Sequence, residues 1–130
     1  MNAATLQDLL RALSTAFRAR DVEGLLQLFS VSEMVTYAGS EAGEKTTGPR
    51  GLRGLLTELL ARPMAYSFEF PDVTFSEHTG FVWLVADGDG AETGDDGASA
   101  PFPYRLTGVL AREEGQWRWL VLVGSEPSAA

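Results

Sequence analysis

The hydrophobic period of this chain changes once, at Pro63, and that change limits the fold more than any other feature. Before Pro63, apolar residues recur at helical spacing: Leu6, Leu9, Leu10, Leu13 and Phe17, then Leu52, Leu55, Leu56, Leu59 and Leu60. Each set is a single buried stripe on a 3.6-residue repeat. After Pro63 the period is two: Tyr66, Phe68 and Phe70 alternate with Ser67 and Glu69, and Val73 and Phe75 resume the pattern beyond Pro71. Helices grouped ahead of strands define an α+β chain rather than an alternating α/β one.

The first helix is expected over residues 6–20, with Thr5 and Asp8 as a variant capping box. Asp21 can cap a shorter second helix carrying Val22, Leu25, Leu26 and Phe29. A short strand is expected over residues 34–37 and a polar loop over 39–48. Pro49 suits the first position of a third helix, because its missing N–H has no partner there in any case, and Pro63 ends that helix. Pro71 marks an edge or a bulge in the next strand. Residues 81–86 are apolar throughout, which requires cover on both faces of that strand. Residues 87–100 read as a mobile, acidic, Gly-rich loop. A strand over 102–112, a tight turn and a last strand over 116–123 complete a meander. With long strands and few helices, one helical layer should lie in the concave face of a strongly curved, mostly antiparallel sheet. The whole chain reads as one domain, with its ordered core at about 5–124.

Composition removes several functions. Ten basic residues against 18 acidic give a net charge of −8. Phosphate neutralisation needs the opposite balance, so neither nucleic acid nor an anionic membrane is an expected partner. With no cysteine and a single histidine, His78, thiolate chemistry, Cys-ligated zinc and His-rich metal sites are excluded. The spacing after Asp87 fails the calcium-loop pattern. No dinucleotide or Walker motif is present, so no cofactor is expected. There is no apolar run of membrane-spanning length and no basic-then-apolar leader, which reads as a cytoplasmic protein.

Three segments carry a resemblance: FRARDVEGLLQLF at 17–29, VTYAGSEAGEKTTGPRGLRGLL at 35–56, and YRLTGVLAREEGQWRWLVLVGSEP at 104–127. Together they resemble the SnoaL-like group of the nuclear-transport-factor-two-like superfamily, which also holds ketosteroid isomerases and polyketide cyclases. The resemblance implies a cone-shaped α+β barrel, a hydrophobic pocket and a homodimer. Arg105, Thr107, Trp117, Ser125 and Pro127 fit the pattern, whereas Val121 and Val123 stand where many relatives have histidines. The isomerase catalytic set is not matched: Leu13, Tyr37 and Thr107 occupy the positions corresponding to its tyrosine, its base and its proton donor. No catalytic residue is therefore assigned.

The candidate pocket residues are Tyr37, Trp83, Arg105, Thr107, Trp119, Val121 and Val123. Trp117 and Tyr104 add aromatic surface. An apolar hollow with a few polar groups is the usual form of a small-molecule site, and ordinary core packing is the alternative for each aromatic residue. A three-residue turn, Glu113-Glu114-Gly115, would pair Arg112 with Gln116, Val109 with Trp119, Thr107 with Val121 and Arg105 with Val123. Arg105 would then face the hollow, able to hold a carboxylate or enolate oxygen. A two-residue turn would put Tyr104 and Leu106 there instead. The alternative for Arg105 is an ion pair with a nearby Asp or Glu. Arg50 and Arg53 are expected to pair with Glu41 and Glu44, and His78 to sit in a solvated turn. The function so implied is binding of a small apolar or aromatic molecule. The alternatives are an isomerase, cyclase or dehydratase acting on a polycyclic or ketone substrate, and a noncatalytic dimerisation module.

Overall fold

The computed structural model describes residues 1–128. Three helices come first, α1 (Ala3–Arg18), α2 (Val22–Leu26) and, after a short hairpin, α3 (Pro49–Leu60). The hairpin strands are β1 (Thr36–Ala38) and β2 (Lys45–Thr47), the latter inside the segment expected to be loop. Four long strands follow: β3 (Ala65–His78), β4 (Phe81–Thr93), β5 (Ser99–Glu113) and β6 (Gln116–Ser125). One curved, unclosed six-stranded sheet contains all of them in the order β2-β1-β6-β5-β4-β3. Every pair is antiparallel except β1 with β6, where the chain returns from the helices to lie beside its own last strand. The architecture is the α+β cone.

Helix α1 starts three residues earlier than its stripe suggests. Asn2, not Thr5, caps it, its side chain accepting from the Thr5 amide at 2.8 Å. An Asn at the N-cap satisfies an amide that has no intrahelical carbonyl partner. Leu6, Leu10, Leu13 and Phe17 are all buried by the sheet. The same helix protects the exposed edge of the sheet at β3. The Ser14 hydroxyl accepts from the Phe68 amide at 2.8 Å, and Gln7 donates to the Phe70 carbonyl at 2.8 Å. Unpaired edge groups invite further strand pairing, and here side chains occupy them. Asp21 caps α2 by accepting from the Gly24 amide at 2.9 Å.

Two irregularities disturb the ladders. One lies in β3 between Glu69 and Asp72, at Pro71, which has no amide to give. The other is in β6. Leu110 pairs with Trp119 and Val109 with Val121, so Leu120 is an extra residue. At that point the end of α2 joins the sheet: Ser30 donates to the Trp119 carbonyl at 2.8 Å and Trp119 donates to the Leu28 carbonyl at 2.9 Å.

Residues 87–93, expected to lie in an acidic loop, continue β4, and only residues 94–98 turn before β5 begins at Ser99. The glycines that suggested a loop have another cause. A Cβ on Gly88 would come within 1.8 Å of the Glu69 carbonyl oxygen, and one on Gly90 within 2.4 Å of the Phe102 ring. They are there for close approach, as glycine inside a strand often is.

The last hairpin also differs from the expected register. Its turn has two residues, with Glu113 paired to Gln116 and Arg112 to Trp117. Glu114 (φ 51°) and Gly115 (φ 78°) both adopt left-handed conformations, the geometry that matches strand twist in a two-residue turn. Tyr104, Leu106 and Leu110 are therefore buried, and Arg105 and Thr107 face out.

Two glycine substitutions should move stability in opposite directions. Gly88→Ala meets backbone and should cost about 1–3 kcal/mol. Gly54→Ala, in an exposed helix interior with nothing within 4 Å, should add about 0.5–1 kcal/mol. Urea titrations of the two variants check both signs.

Candidate functional site

Period-two alternation along β4 puts Val82, Leu84 and Ala86 on the buried face, each at 0% exposure. The same parity carries Gly88, Gly90 and Glu92 inward toward one end of the sheet. Gly88 lies opposite Tyr104, Gly90 opposite Phe68 and Phe102, and Glu92 opposite Tyr66. The helices do not fill this end, and a recess opens there.

Each wall comes from a different element. Phe17 comes from the last turn of α1, Leu59 from the last turn of α3, Arg62 from just beyond it, and Tyr37 from β1. Ser40, Glu41 and Glu44 belong to the β1–β2 loop, and Glu126 follows β6. An aromatic wall runs across β3 and β5. Phe68 lies 4.9 Å from Tyr104 and meets Phe17 edge-on at 5.5 Å, and Phe102 meets Tyr104 edge-on at 5.8 Å. Two glycines make room for these rings: Gly90 under Phe102, and Gly124, whose Cβ would come within 1.7 Å of the Tyr104 hydroxyl oxygen. The hollow measures about 60 Å³. That is small beside the 300–1,000 Å³ of a drug-sized pocket, so a polycyclic ligand would need the side chains to move.

Its polar groups are unevenly satisfied. Glu44 is 8% exposed. One of its oxygens accepts from the Glu41 amide at 3.1 Å and the other lies 3.4 Å from Arg62. Arg62 also reaches Glu41 at 3.6 Å and donates to the Tyr66 hydroxyl at 3.3 Å. That hydrogen bond is the chief reason its guanidinium is held above its ordinary range. Tyr37 and Tyr104 are 5% and 8% exposed, yet among the described residues neither hydroxyl has a hydrogen-bond partner. No buried side-chain oxygen lacks a partner among the described residues, so both phenol oxygens must reach open space, and the recess is the space they line. Burial pushes both phenols well above the usual tyrosine range. Tyr104 and Glu44 add to the effect at Tyr37, and Glu44 and Glu126 add to it at Tyr104. Both are therefore neutral hydroxyls, able to donate and to accept.

The residues selected from sequence are distributed differently. Of the seven, Tyr37 lines the recess. Trp119 is 1% exposed and packed in the core beside the β6 irregularity. Trp83 lies on the outer face of the sheet by alternation with Val82 and Leu84, and Arg105, Thr107, Val121 and Val123 lie there because the two-residue turn and the extra Leu120 set the register of the hairpin. Arg105 bonds Asp87, its neighbour across the β4–β5 ladder, at 2.6 Å, which makes it one half of a surface ion pair. Arg53 pairs with Glu23, and Glu41 and Glu44 pair with Arg62. His78 is exposed and stacks on Phe81 at 5.2 Å. Arg62, Glu44, Glu92 and Glu126, which no sequence pattern marks as pocket residues, also line the recess. The inward parity of Glu92 follows from residues 87–93 being strand, where their composition resembles a loop. Among the described residues no three His, Cys, Asp or Glu side chains gather as a metal site, and no helix is long and apolar enough to cross a membrane.

Comparison with known proteins fits this geometry. The sequence profile of the SnoaL-like domain matches residues 6–129. No curated protein matches in sequence. Among solved structures, a nuclear transport factor 2 (NTF2-like) superfamily protein from Salmonella enterica superposes with a TM-score of 0.82 at 13% identity, over 98% of this chain and 92% of that one. A candidate dehydratase from the NTF2-like family of Streptomyces avermitilis gives 0.80 at 15% identity, over 98% and 100%. A candidate calcium/calmodulin-dependent protein kinase type II association domain from Thiobacillus denitrificans gives 0.74 at 17%, over 92% and 93%. At these identities the likeness is one of fold.

The state of the two phenols sets a pH dependence. A tyrosine in the unfolded chain ionises near pH 10. In the native chain Tyr37 and Tyr104 hold their protons beyond that, so the native state binds more protons and stability falls as pH rises above about 10. Urea midpoints at pH 8 and at about pH 10.5 should differ in that direction, and the double variant Tyr37→Phe/Tyr104→Phe should flatten the difference.

Proposed function

The chain belongs to the SnoaL-like family, and from that premise we propose that it binds a small molecule in the recess at the open end of the cone. The ligand has an apolar body and at least one polar group. The observation that carries this reading is the pair Tyr37 and Tyr104, whose rings are buried and whose hydroxyls open onto the recess with no protein partner among the described residues. A hydrogen bond from a ligand atom to either hydroxyl would contribute about 0.5–1.5 kcal/mol net. The aromatic wall of Phe68 and Phe102 supplies the apolar contact. The test is a fragment screen by amide-resolved NMR. Binders should shift the amides of Tyr37, Phe68 and Tyr104, and Tyr104→Phe should weaken a binder that hydrogen-bonds there by about 1 kcal/mol, roughly fivefold. If no fragment of any charge or shape moves those amides, the reading is wrong.

A second reading has one observation in its favour. Glu44 is a buried carboxylate in the same recess as two phenol donors, an arrangement that suits removal of a C–H proton while the phenols bond a developing oxyanion. One neighbour in fold carries the name dehydratase. Deuterium exchange from solvent into a bound ketone, lost in Glu44→Gln, would support a catalytic role. Bound ketones that never exchange would remove it.

The outer sheet face supports a homodimer. Phe81, Trp83 and Val123 are 43%, 40% and 36% exposed, with Val85, Val109 and Val121 between them on the same face. The apolar run over 81–86 thus buries one set of side chains and leaves the other uncovered. A second copy offers the same apolar, uncharged surface in return. A neighbour in fold is named as an association domain. Sedimentation at micromolar concentration should give a dimer, and Trp83→Lys should convert it to a folded monomer. A wild-type monomer would defeat the proposal.

A further inference from the structure

Binding in the recess leaves the chemistry of the ligand open, and the charges around the hollow narrow it. Four carboxylates line it, Glu41, Glu44, Glu92 and Glu126, against the single guanidinium of Arg62. Arg62 is shared between Glu41 and Glu44. Among the described residues Glu92 and Glu126 pair with no basic side chain; Glu126 accepts only from the Ser40 hydroxyl, at 2.9 Å. Glu92 is an acid at an inward-facing strand position, opposite Tyr66. The acids alone would not make a site. Between them lie the two buried phenols of Tyr37 and Tyr104, whose oxygens reach the hollow without a partner.

Resting on the reading of the recess as a ligand site, we infer that its ligand is a small organic cation, a protonated amine with a short apolar chain. An ammonium group brings only N–H donors. It would meet acceptors in the two phenol oxygens, the π-faces of Phe68 and Tyr104, and the uncompensated charge of Glu92 and Glu126. A carboxylate ligand would meet the phenol donors too, but would face a net negative wall in a partly desolvated space, where like charges repel most strongly. A hollow of about 60 Å³ holds the head of such an amine and leaves its chain along the aromatic wall. The same features speak against a bare metal ion, because no three of the carboxylates converge among the described residues.

The experiment uses three probes of one shape and different charge: n-butylammonium, n-butanol and butyrate, titrated into the full chain at low salt and followed by the amides of Tyr37, Phe68 and Tyr104. The expected result is binding of butylammonium at least about tenfold tighter than butanol, a difference of about 1.4 kcal/mol, weakening as salt is added. Glu92→Gln/Glu126→Gln should reduce butylammonium affinity about fivefold and leave butanol unchanged; both positions are solvent-accessible, so the variant keeps its core. Butanol or butyrate binding as tightly as butylammonium, or a double variant with undiminished preference for the amine, overturns the cation inference and leaves the recess a ligand site. Failure of all three probes, together with the fragment screen, overturns both.

Discussion

Which side chains of β5 and β6 enter the cone is decided by four residues. Glu114 and Gly115 take left-handed conformations and close the hairpin in two residues. Leu120 then adds one residue to β6, and Trp119 is tied to the end of α2 at that point. In a strand, a shift of one residue exchanges the faces completely. With this turn, Tyr104, Leu106 and Leu110 are buried and Arg105 and Thr107 are in solvent. With a three-residue turn the hollow would have been lined by an arginine and a threonine, and its chemistry would have been that of an anion site. The actual register puts a phenol there and leaves the acids in control of the electrostatics.

The recess follows from that choice and from glycine. Tyr104 lies over Gly124 and Phe102 over Gly90, at separations that no Cβ tolerates. The aromatic rings thus sit low against the sheet, and the space above them stays open. Helix α3 stops at Leu60, and Arg62 reaches the mouth from just beyond it. The β1–β2 loop brings Glu44 over the other side, held by the Glu41 amide and Arg62. The result is a hollow that joins aromatic rings and two phenol hydroxyls to four carboxylates and one guanidinium.

The two faces of the sheet serve different ends. The inner face packs on α1 and α3 and ends in the recess. The outer face is apolar around Trp83 and Val109 and becomes charged toward the recess end, where Asp87 and Arg105 pair. Arg105 is occupied by that carboxylate, so the residue most suggestive of a ligand clamp instead borders the uncovered patch.

Much of the architecture was legible in the chain. The two periods, the cap at Asp21, the start of α3 at Pro49 and the interruption at Pro71 are local properties: each depends on residues within a few positions, and the structure keeps them all. The resemblance of three segments pointed to the cone and its helical layer. The lining of the recess was far less legible: of the aromatic residues expected around a pocket, Tyr37 and Tyr104 line it. A Glu-Gly turn carries weaker register information than Asn-Gly, because Glu seldom adopts a positive φ. Glycines that allow ring and carbonyl contacts look, in sequence, like the glycines of a loop, which hid the inward position of Glu92. Strand and helix type were thus determined by the sequence itself, since alternation and stripes are read along the chain. Facing, pairing and the composition of the hollow were decided in three dimensions, because they depend on which residue of a distant strand stands opposite.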